Sequence, residues 1–327
     1  MDTRSAADEA AHGGAGTGPA AACPDVEAFG EALSAALGQD ARSPAGSAFI
    51  AQLRQQVSDE EVGALSPEDL AAIGAEFWRF AAERPGPGTQ LRLVEVKGSD
   101  GRELDLEALQ IVQDDAPFLV DSIMGEVTDR GCRVRAMLHP VLEVGRDAAG
   151  HRAEGAAPRA ESMMLVLIEP IGATRGAALL QGVIATLDDV RAAVSDFEAM
   201  RELMRTTIQA LEAGAPEATR PEIGEDLDFL RWLADDRFVF LGARVYTYPR
   251  AADGDFAPEE PSFSADGCFG VLRDQSRGVL RRESEPAVLS PAARSHIGDA
   301  PLVVAKANAR SRNRSNGSNV SPWDWNF

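Results

Sequence analysis

Apolar residues between positions 24 and 83 recur every three or four residues: Phe29, Leu33 and Leu37 first, then Leu70, Ile73, Phe77 and Phe80. That spacing places them on one face of a helix, and the spacing predicts a helical N-terminal segment. Ser66-Pro67-Glu68-Asp69 has the composition of a helix start: a capping hydroxyl, a proline at the first turn and acids at the positive helix end. The segment 83–90, ERPGPGTQ, ends the helical pattern. Two alternating stretches follow, 91–96 and 104–112, separated by a turn at 97–101, and they predict a hairpin. In the second, Leu109 and Ile111 fall on one face and Gln110 and Val112 on the other.

A helical stripe then runs through Phe118, Leu119, Ile123, Met124 and Val127 and stops at Gly131. Residues 132–144 form a strand pattern interrupted at Pro140, and 161–171 form another. The six residues 163–168, MMLVLI, are apolar on both faces. Both sides of that strand are therefore expected to be covered. From 175 to about 214 the pattern is helical, with a break expected near Leu187-Asp188-Asp189. A linker is expected at 212–222, a short helix anchored by Leu227, Leu230 and Leu233 at 222–235, and strands at 237–248, 268–274 and 301–307. The order strand–helix–strand–strand–helix over roughly 104–200 is most of a ferredoxin-like unit. The expected class is α+β.

Bulk composition removes several functions. The chain of 327 residues has a net charge of −20 and a pI near 4.6. It lacks the basic footprint that nucleic acid requires, and anionic membrane surfaces would repel it. The longest apolar run is too short to span a bilayer, and residues 1–10 lack the apolar core of a signal peptide. Cys23, Cys132 and Cys268 are too far apart for a metal knuckle and odd in number for a disulfide framework. Reduced cysteines in a cytoplasmic protein are the expectation. Residues 1–24, rich in Ala and Gly, read as a disordered leader. The GGAGTG within them follows no strand and lacks nucleotide-loop spacing.

The candidate chemistry centres on DDAPFLVDSIMGEVTDRG, residues 114–131. Asp114 and Asp115 read first as caps for the helix that follows, with Pro117 in its first turn. A ligand-binding loop, Asp114, Asp115, Ala116, Pro117 and Phe118, is the second reading, because a loop entering a helix N-terminus offers free N–H groups to a carboxylate. Adjacent side chains at such a turn diverge, which argues against paired acid–base catalysis. His12, His139, His151 and His296 are scattered, and neither lysine, Lys97 or Lys306, has a setting suited to carbonyl chemistry. No residue is assigned as catalytic, cofactor-binding or metal-ligating.

The segments DDAPFLVDSIMGEVTDRG, HPVLEVGRDAAG, AESMMLVLIEPI, LDDVRAAVSDFEAMRELM, FLRWLADDRFVFLGARVY, FGVLRD and PLVVAKANARS together resemble, in order, the N-terminal region of the large NAD-specific glutamate dehydrogenases over roughly residues 25–311. The resemblance implies a cytoplasmic oligomer that, in full length, oxidises L-glutamate with NAD and water to 2-oxoglutarate, ammonia and NADH. It further implies that this region consists of ACT-like regulatory βαββαβ sheets, with the catalytic and NAD-binding parts elsewhere. The chain alone is then expected to be inactive. Its expected associations are with itself or with the remainder of the enzyme, and an amino acid is its candidate effector. A stand-alone amino-acid-sensing or oligomerisation module is the alternative. In ACT-type sensors the loop is Asp-x-Pro-Gly; here Asp115-Ala116-Pro117 matches and Phe118 stands where glycine is usual.

The expected organisation is a leader at 1–24, a helical segment at 25–85, a first ACT-like domain with long helices at 88–214, the start of a second at 220–311, and an aberrant tail at 312–327. Residues 1–307 contain no asparagine, whereas Asn308, Asn313, Asn316, Asn319 and Asn326 crowd the final stretch. A frameshift or truncation is the expected origin of that tail.

Overall fold

The computed structural model describes residues 25–57, 65–214, 220–247 and 262–277. The expected leader, the strand at 301–307 and the tail lie outside the described residues, as do His12, His296, Cys23 and Lys306. The chain divides into two compact units, one comprising residues up to Phe80 together with Val96–Leu104, the other Ala81–Glu95 and the residues from Asp105 onward.

The first unit is helical, with α1 (Val26–Leu37), α2 (Pro44–Gln56) and α3 (Pro67–Phe80). Each start is capped as its sequence dictates. The Asp25 carboxylate accepts from the N–H groups of Glu27 and Ala28 at 3.1 and 3.0 Å, Ser43 Oγ from Gly46 N at 3.0 Å, and Ser66 Oγ from Asp69 N at 3.1 Å. Phe29, Leu33, Phe49, Leu53 and Phe77 are sealed from solvent, and the Phe49 ring lies 4.9 Å from that of Trp78. Asp69, expected only to complement the helix end, also holds the tip of the β-hairpin at 96–104. Its carboxylate accepts from Ser99 N at 2.9 Å and Ser99 Oγ at 3.1 Å and pairs with the Arg102 guanidinium. Burial alone would raise this carboxyl's pKa. The donors from Ser99 and Ser66, with the Arg102 charge, outweigh it and hold the group below the usual carboxylate range.

The second unit is built on one antiparallel sheet. Its strands are β1 (Gln90–Lys97), β2 (Glu103–Asp114), β3 (Val134–Leu138), β4 (Val141–Gly145) and β5 (Pro158–Ile168). The spatial order is β1-β2-β5-β3, with β4 also paired to β5. β3 and β4 are two halves of the strand that Pro140 interrupts. Helix α4 (Leu119–Asp129) links β2 to β3, and α5 (Gly172–Ser195) follows β5. This is the expected α+β, ACT-like arrangement with one change of order. The edge place beside β2, which a βαββαβ unit fills with its last strand, is taken by β1, the strand before β2. A five-residue connection can join β1 to β2 only as an antiparallel hairpin, so the closing strand comes from the near side of the chain.

The central strand β5 meets the expectation of two covered faces: all of Met163 to Ile168 are at most 1% exposed. Met164, Val166 and Ile168 join Leu109 and Ile111 in one core beneath Ile123, Val127, Leu179, Val183 and Leu187 of α4 and α5. On the opposite face Met163, Leu165 and Leu167 pair across with Val112, Gln110 and Ala108, which are equally buried. Where α4 and α5 cross, Glu126 is buried and bonds Arg130 Nε at 2.7 Å, with Thr186 Oγ1 at 3.3 Å. Gly182 makes room for this pair, since a Cβ there would stand 1.9 Å from Glu126 Oε1.

Four expectations are corrected. The helical stretch does not break at Leu187-Asp188-Asp189; α5 runs through it and ends at Ser195, and α6 (Phe197–Gly214) follows. The break sits at Asp196, whose buried carboxylate accepts from Gly270 N at 2.7 Å and from the Nε and Nη2 edge of the Arg273 guanidinium. The expected strands at 237–248 and 268–274 shrink to β6 (Gly242–Arg244) and β7 (Cys268–Gly270), which pair with each other. Gly270 ends β7 in a left-handed conformation with φ 58°, and a Cβ there would meet Leu241 O at 2.2 Å. The expected linker at 212–222 is helical at both ends, since α6 reaches Gly214 and α7 (Arg220–Trp232) already begins at Arg220, and 215–219 lie outside the described residues. Helix α7 turns its Leu227 and Leu230, with Leu233 just beyond its end, against Met204 and Ile208 of α6, as the spacing predicts.

Gly182→Ala should lower stability despite alanine's better helix propensity, because the added methyl collides with the buried Glu126 carboxylate and its Arg130 partner. A loss of about 1–3 kcal/mol in urea unfolding is expected. An unchanged or higher midpoint would show that the α4–α5 crossing has slack.

Candidate functional site

The loop between β2 and α4 carries the five candidate residues, and the structure places each. Asp114 ends β2 and pairs with Arg84 Nη1 at 2.6 Å. Asp115 is exposed and its N–H donates to Ala160 O at 2.9 Å, fastening the loop to β5. Ala116 and Phe118 are half-buried against the core under α4, and Pro117 is exposed. The capping reading is not what the structure shows. The residue at the N-cap of α4 is Phe118, with φ 69° and ψ 4°, and its side chain makes no capping hydrogen bond. Asp114 is committed to Arg84 and lies four residues before the N-cap position.

Phe118 is a bulky residue in a region where glycine is comfortable and L side chains are strained by roughly 1–2 kcal/mol. ACT-type sensors often have glycine at this position, and the backbone here has the positive φ that glycine adopts without strain. Its ring is held against the core rather than left over the loop, and that contact offsets the strain.

Beneath the loop is a polar network that residue-by-residue reading did not find. Glu161, 2% exposed at the start of the apolar run of β5, lies between two guanidiniums. Arg146 meets it side-on, Nε to Oε1 at 2.6 Å and Nη2 to Oε2 at 2.8 Å, and Arg84 Nη1 approaches Oε1 at 3.1 Å. The remaining donors are spent on backbone carbonyls: Arg84 on Gly88 and Pro87, Arg146 on Ala81, Ala82 and Gly150. Two guanidiniums and two carboxylates, counting the half-exposed Asp114, balance in charge, as the burial of Arg84, Arg146 and Glu161 requires. The network pins three loops to the end of the sheet: 81–88, 114–118 and 146–150. A charged residue immediately before an all-apolar strand, as in Glu161-Ser162-Met163, is the signal that would have marked it.

His139 completes the group. It sits in the break between β3 and β4, and its Nε2 shares a hydrogen bond with Ser162 Oγ. Burial pushes its pKa below that of a free histidine, and the nearby Asp115 carboxylate opposes the shift without cancelling it. The sequence left His139 without partners; the fold supplies Ser162 and Asp115. The resulting Ser–His–Asp grouping is no acyl-transfer machine, because Ser162 is 0% exposed and no substrate can reach its oxygen. Among the described residues, no group of three or more His, Cys, Asp or Glu side chains is placed to hold a metal ion. Lys97 is exposed, as expected. Cys132 and Cys268 are free thiols and buried, and burial pushes the Cys132 thiol's pKa up. No helix among the described residues is long and apolar enough to cross a membrane.

Comparison with known proteins gives this geometry a context. Residues 49–183 match the family model described as glutamate dehydrogenase, ACT1 domain. The chain is 32% identical over 190 residues to an NAD-specific glutamate dehydrogenase of Halomonas elongata, covering 55% of this chain and 12% of the relative. It is 28% identical over 293 residues to the enzyme of that name from Pseudomonas aeruginosa, covering 82% of this chain and 18% of the relative. A third, from Mycobacterium tuberculosis, is 30% identical over 199 residues, covering 57% and 12%. The chain thus spans less than a fifth of the length of these relatives.

Two outcomes follow from the network. Glu161→Ala leaves two buried guanidiniums with one carboxylate between them and should cost about 3–5 kcal/mol by denaturant unfolding. Because His139 holds its proton less tightly folded than unfolded, the unfolded chain takes up that proton first, below about pH 6.5. Stability should therefore fall as pH drops through that value, and His139→Asn should flatten this part of the profile. A profile identical in the variant would remove His139 from the account.

Proposed function

We propose, from the match of residues 49–183 to the ACT1-domain model of glutamate dehydrogenases, that this chain is a regulatory portion of an NAD-dependent glutamate dehydrogenase. The whole enzyme would convert L-glutamate, NAD and water to 2-oxoglutarate, ammonia and NADH. On this reading, catalysis and NAD binding belong to parts of the enzyme other than this chain, and the chain associates with them in the cytoplasm. The observation that carries the reading is how the ionisable groups around the β2–α4 loop are used. Arg84, Arg146, Glu161 and Asp114 are bound to one another or to backbone carbonyls, and Ser162 is sealed. Groups spent on holding loops in place support a scaffold for regulation rather than a reaction centre.

An amino-acid-sensing role is the second reading, favoured by one feature. Helix α4 begins without a capping hydrogen bond from its N-cap side chain, beneath a loop whose Asp115 and Pro117 are exposed. A ligand carboxylate could satisfy the open N–H groups there, and Asp115 could accept from the ligand's ammonium.

The chain supplied with glutamate and NAD should form no NADH above background at 340 nm; turnover would overturn the assignment of catalysis to other parts. Calorimetry against a panel of amino acids separates the two readings of the loop. Heat that disappears in Asp115→Ala supports the sensor, and no heat from any member of the panel removes it.

A further inference from the structure

Helix α7 has two apolar faces, and among the described residues only one has a partner. Leu227 and Leu230, with Leu233 just past the helix end, face α6 and are 5–8% exposed. On the other side Phe229 and Trp232 are 52% and 45% exposed, with Phe238 at 39% and Val239 at 37% close by. The three rings form one surface. Phe229 stacks on Trp232 with centroids 5.9 Å apart, and Phe238 meets Trp232 edge-on at 5.1 Å. A helix apolar on both sides is normally buried on both, and a contiguous exposed aromatic patch is the usual mark of an interaction surface.

The surround of the patch carries a sign. Glu225 and Asp226 lie one turn before Phe229 along the same side of the helix, Asp228 flanks it, and Asp235 lies beyond Trp232; all four are exposed. Arg231, an exposed base on this helix, is engaged by Asp228 at 2.7 Å and by Glu212. The rim is therefore acidic around an aromatic centre. A second copy of the chain would bring the same acidic rim against itself, each copy carrying −20, so self-pairing here is opposed. An anionic lipid surface is opposed for the same reason.

We propose that the Phe229–Trp232–Phe238 surface is a docking site for an amphipathic protein segment with apolar anchors flanked by lysine or arginine. Stacked aromatics give large contact area at small entropic cost, and Trp is the residue most enriched among binding hot spots. The acidic rim selects the partner's charge and speeds encounter. The inference rests on this surface alone and does not depend on the regulatory reading above.

The test uses the full chain and a three-turn helical peptide with leucines on one face and lysines on the other, set against the same peptide with glutamate for lysine. Calorimetry should give saturable binding of the lysine peptide and none of the glutamate peptide. Phe229→Ser with Trp232→Ser, checked for fold by circular dichroism, should weaken binding roughly tenfold or more. Those changes leave the net charge at −20, so nonspecific attraction of a cation to an acidic protein would survive them. Glu225→Gln with Asp226→Asn changes no buried residue and should weaken binding with a reduced salt dependence. The proposal is overturned by no binding of the lysine peptide, by equal binding of both peptides, or by binding that either pair of substitutions leaves unchanged. A dimer by light scattering that dissociates on Phe229→Ser and Trp232→Ser would also overturn it, by making a second copy the occupant.

Discussion

The sheet of the second unit depends on a strand that cannot tolerate water on either side. Residues Met163 to Ile168 present large apolar side chains up and down, and each is worth about 1.5–3 kcal/mol only once it is buried. One face is covered by α4 and α5, whose packing uses Gly182 to admit the buried Glu126–Arg130 pair. The sheet must also be wide enough for β5 to lie in its interior, flanked by β2 on one side and β3 and β4 on the other. The position of β1 at the outer edge of β2 widens it further, by local hairpin closure rather than by a strand returning from afar.

Where that strand meets the surface, its polarity changes abruptly, and the buried Glu161 deals with the transition. A carboxylate at this depth is unfavourable alone; flanked by Arg84 and Arg146 it becomes the tie point for three loops. The candidate effector loop is one of them, held through Asp114 to Arg84 and through the Asp115 N–H to Ala160. Its geometry is therefore fixed from below, while its outer surface stays open. The second tie point of this unit, Asp196 with Arg273 and Gly270, does the same work at the end of α5. Burial raises that carboxyl's pKa less than the Arg273 and Gly270 donors lower it, so it stays below the usual carboxylate range.

Local pattern alone determined a good deal. Helical spacing located α1, α3 and the α4 stripe; alternation located the β1–β2 hairpin; Pro140 and Gly131 marked a strand break and a helix end. The doubled apolar run at 163–168 announced a strand covered on both sides. These succeeded because each depends on periodicity or on the backbone limits of one residue. Three of the seven ordered segments that resemble the N-terminal region of glutamate dehydrogenases, at 114–131, 139–150 and 160–171, lie within the ACT1 match over residues 49–183.

What only the tertiary structure decided was the use made of each charge. Asp114 looks like a helix cap in sequence because caps precede helices; in the fold Arg84, thirty residues earlier, claims it first. The helix break falls at Asp196 rather than at Leu187-Asp188-Asp189, and there Arg273, seventy-seven residues later, bonds the carboxylate. His139 gains Ser162 and Asp115 as neighbours only when β3 pairs with β5. Periodicity is a property of the chain, so the sequence carries it; an ion pair is a property of two distant points brought within 3 Å, and only the packed sheet brings them together.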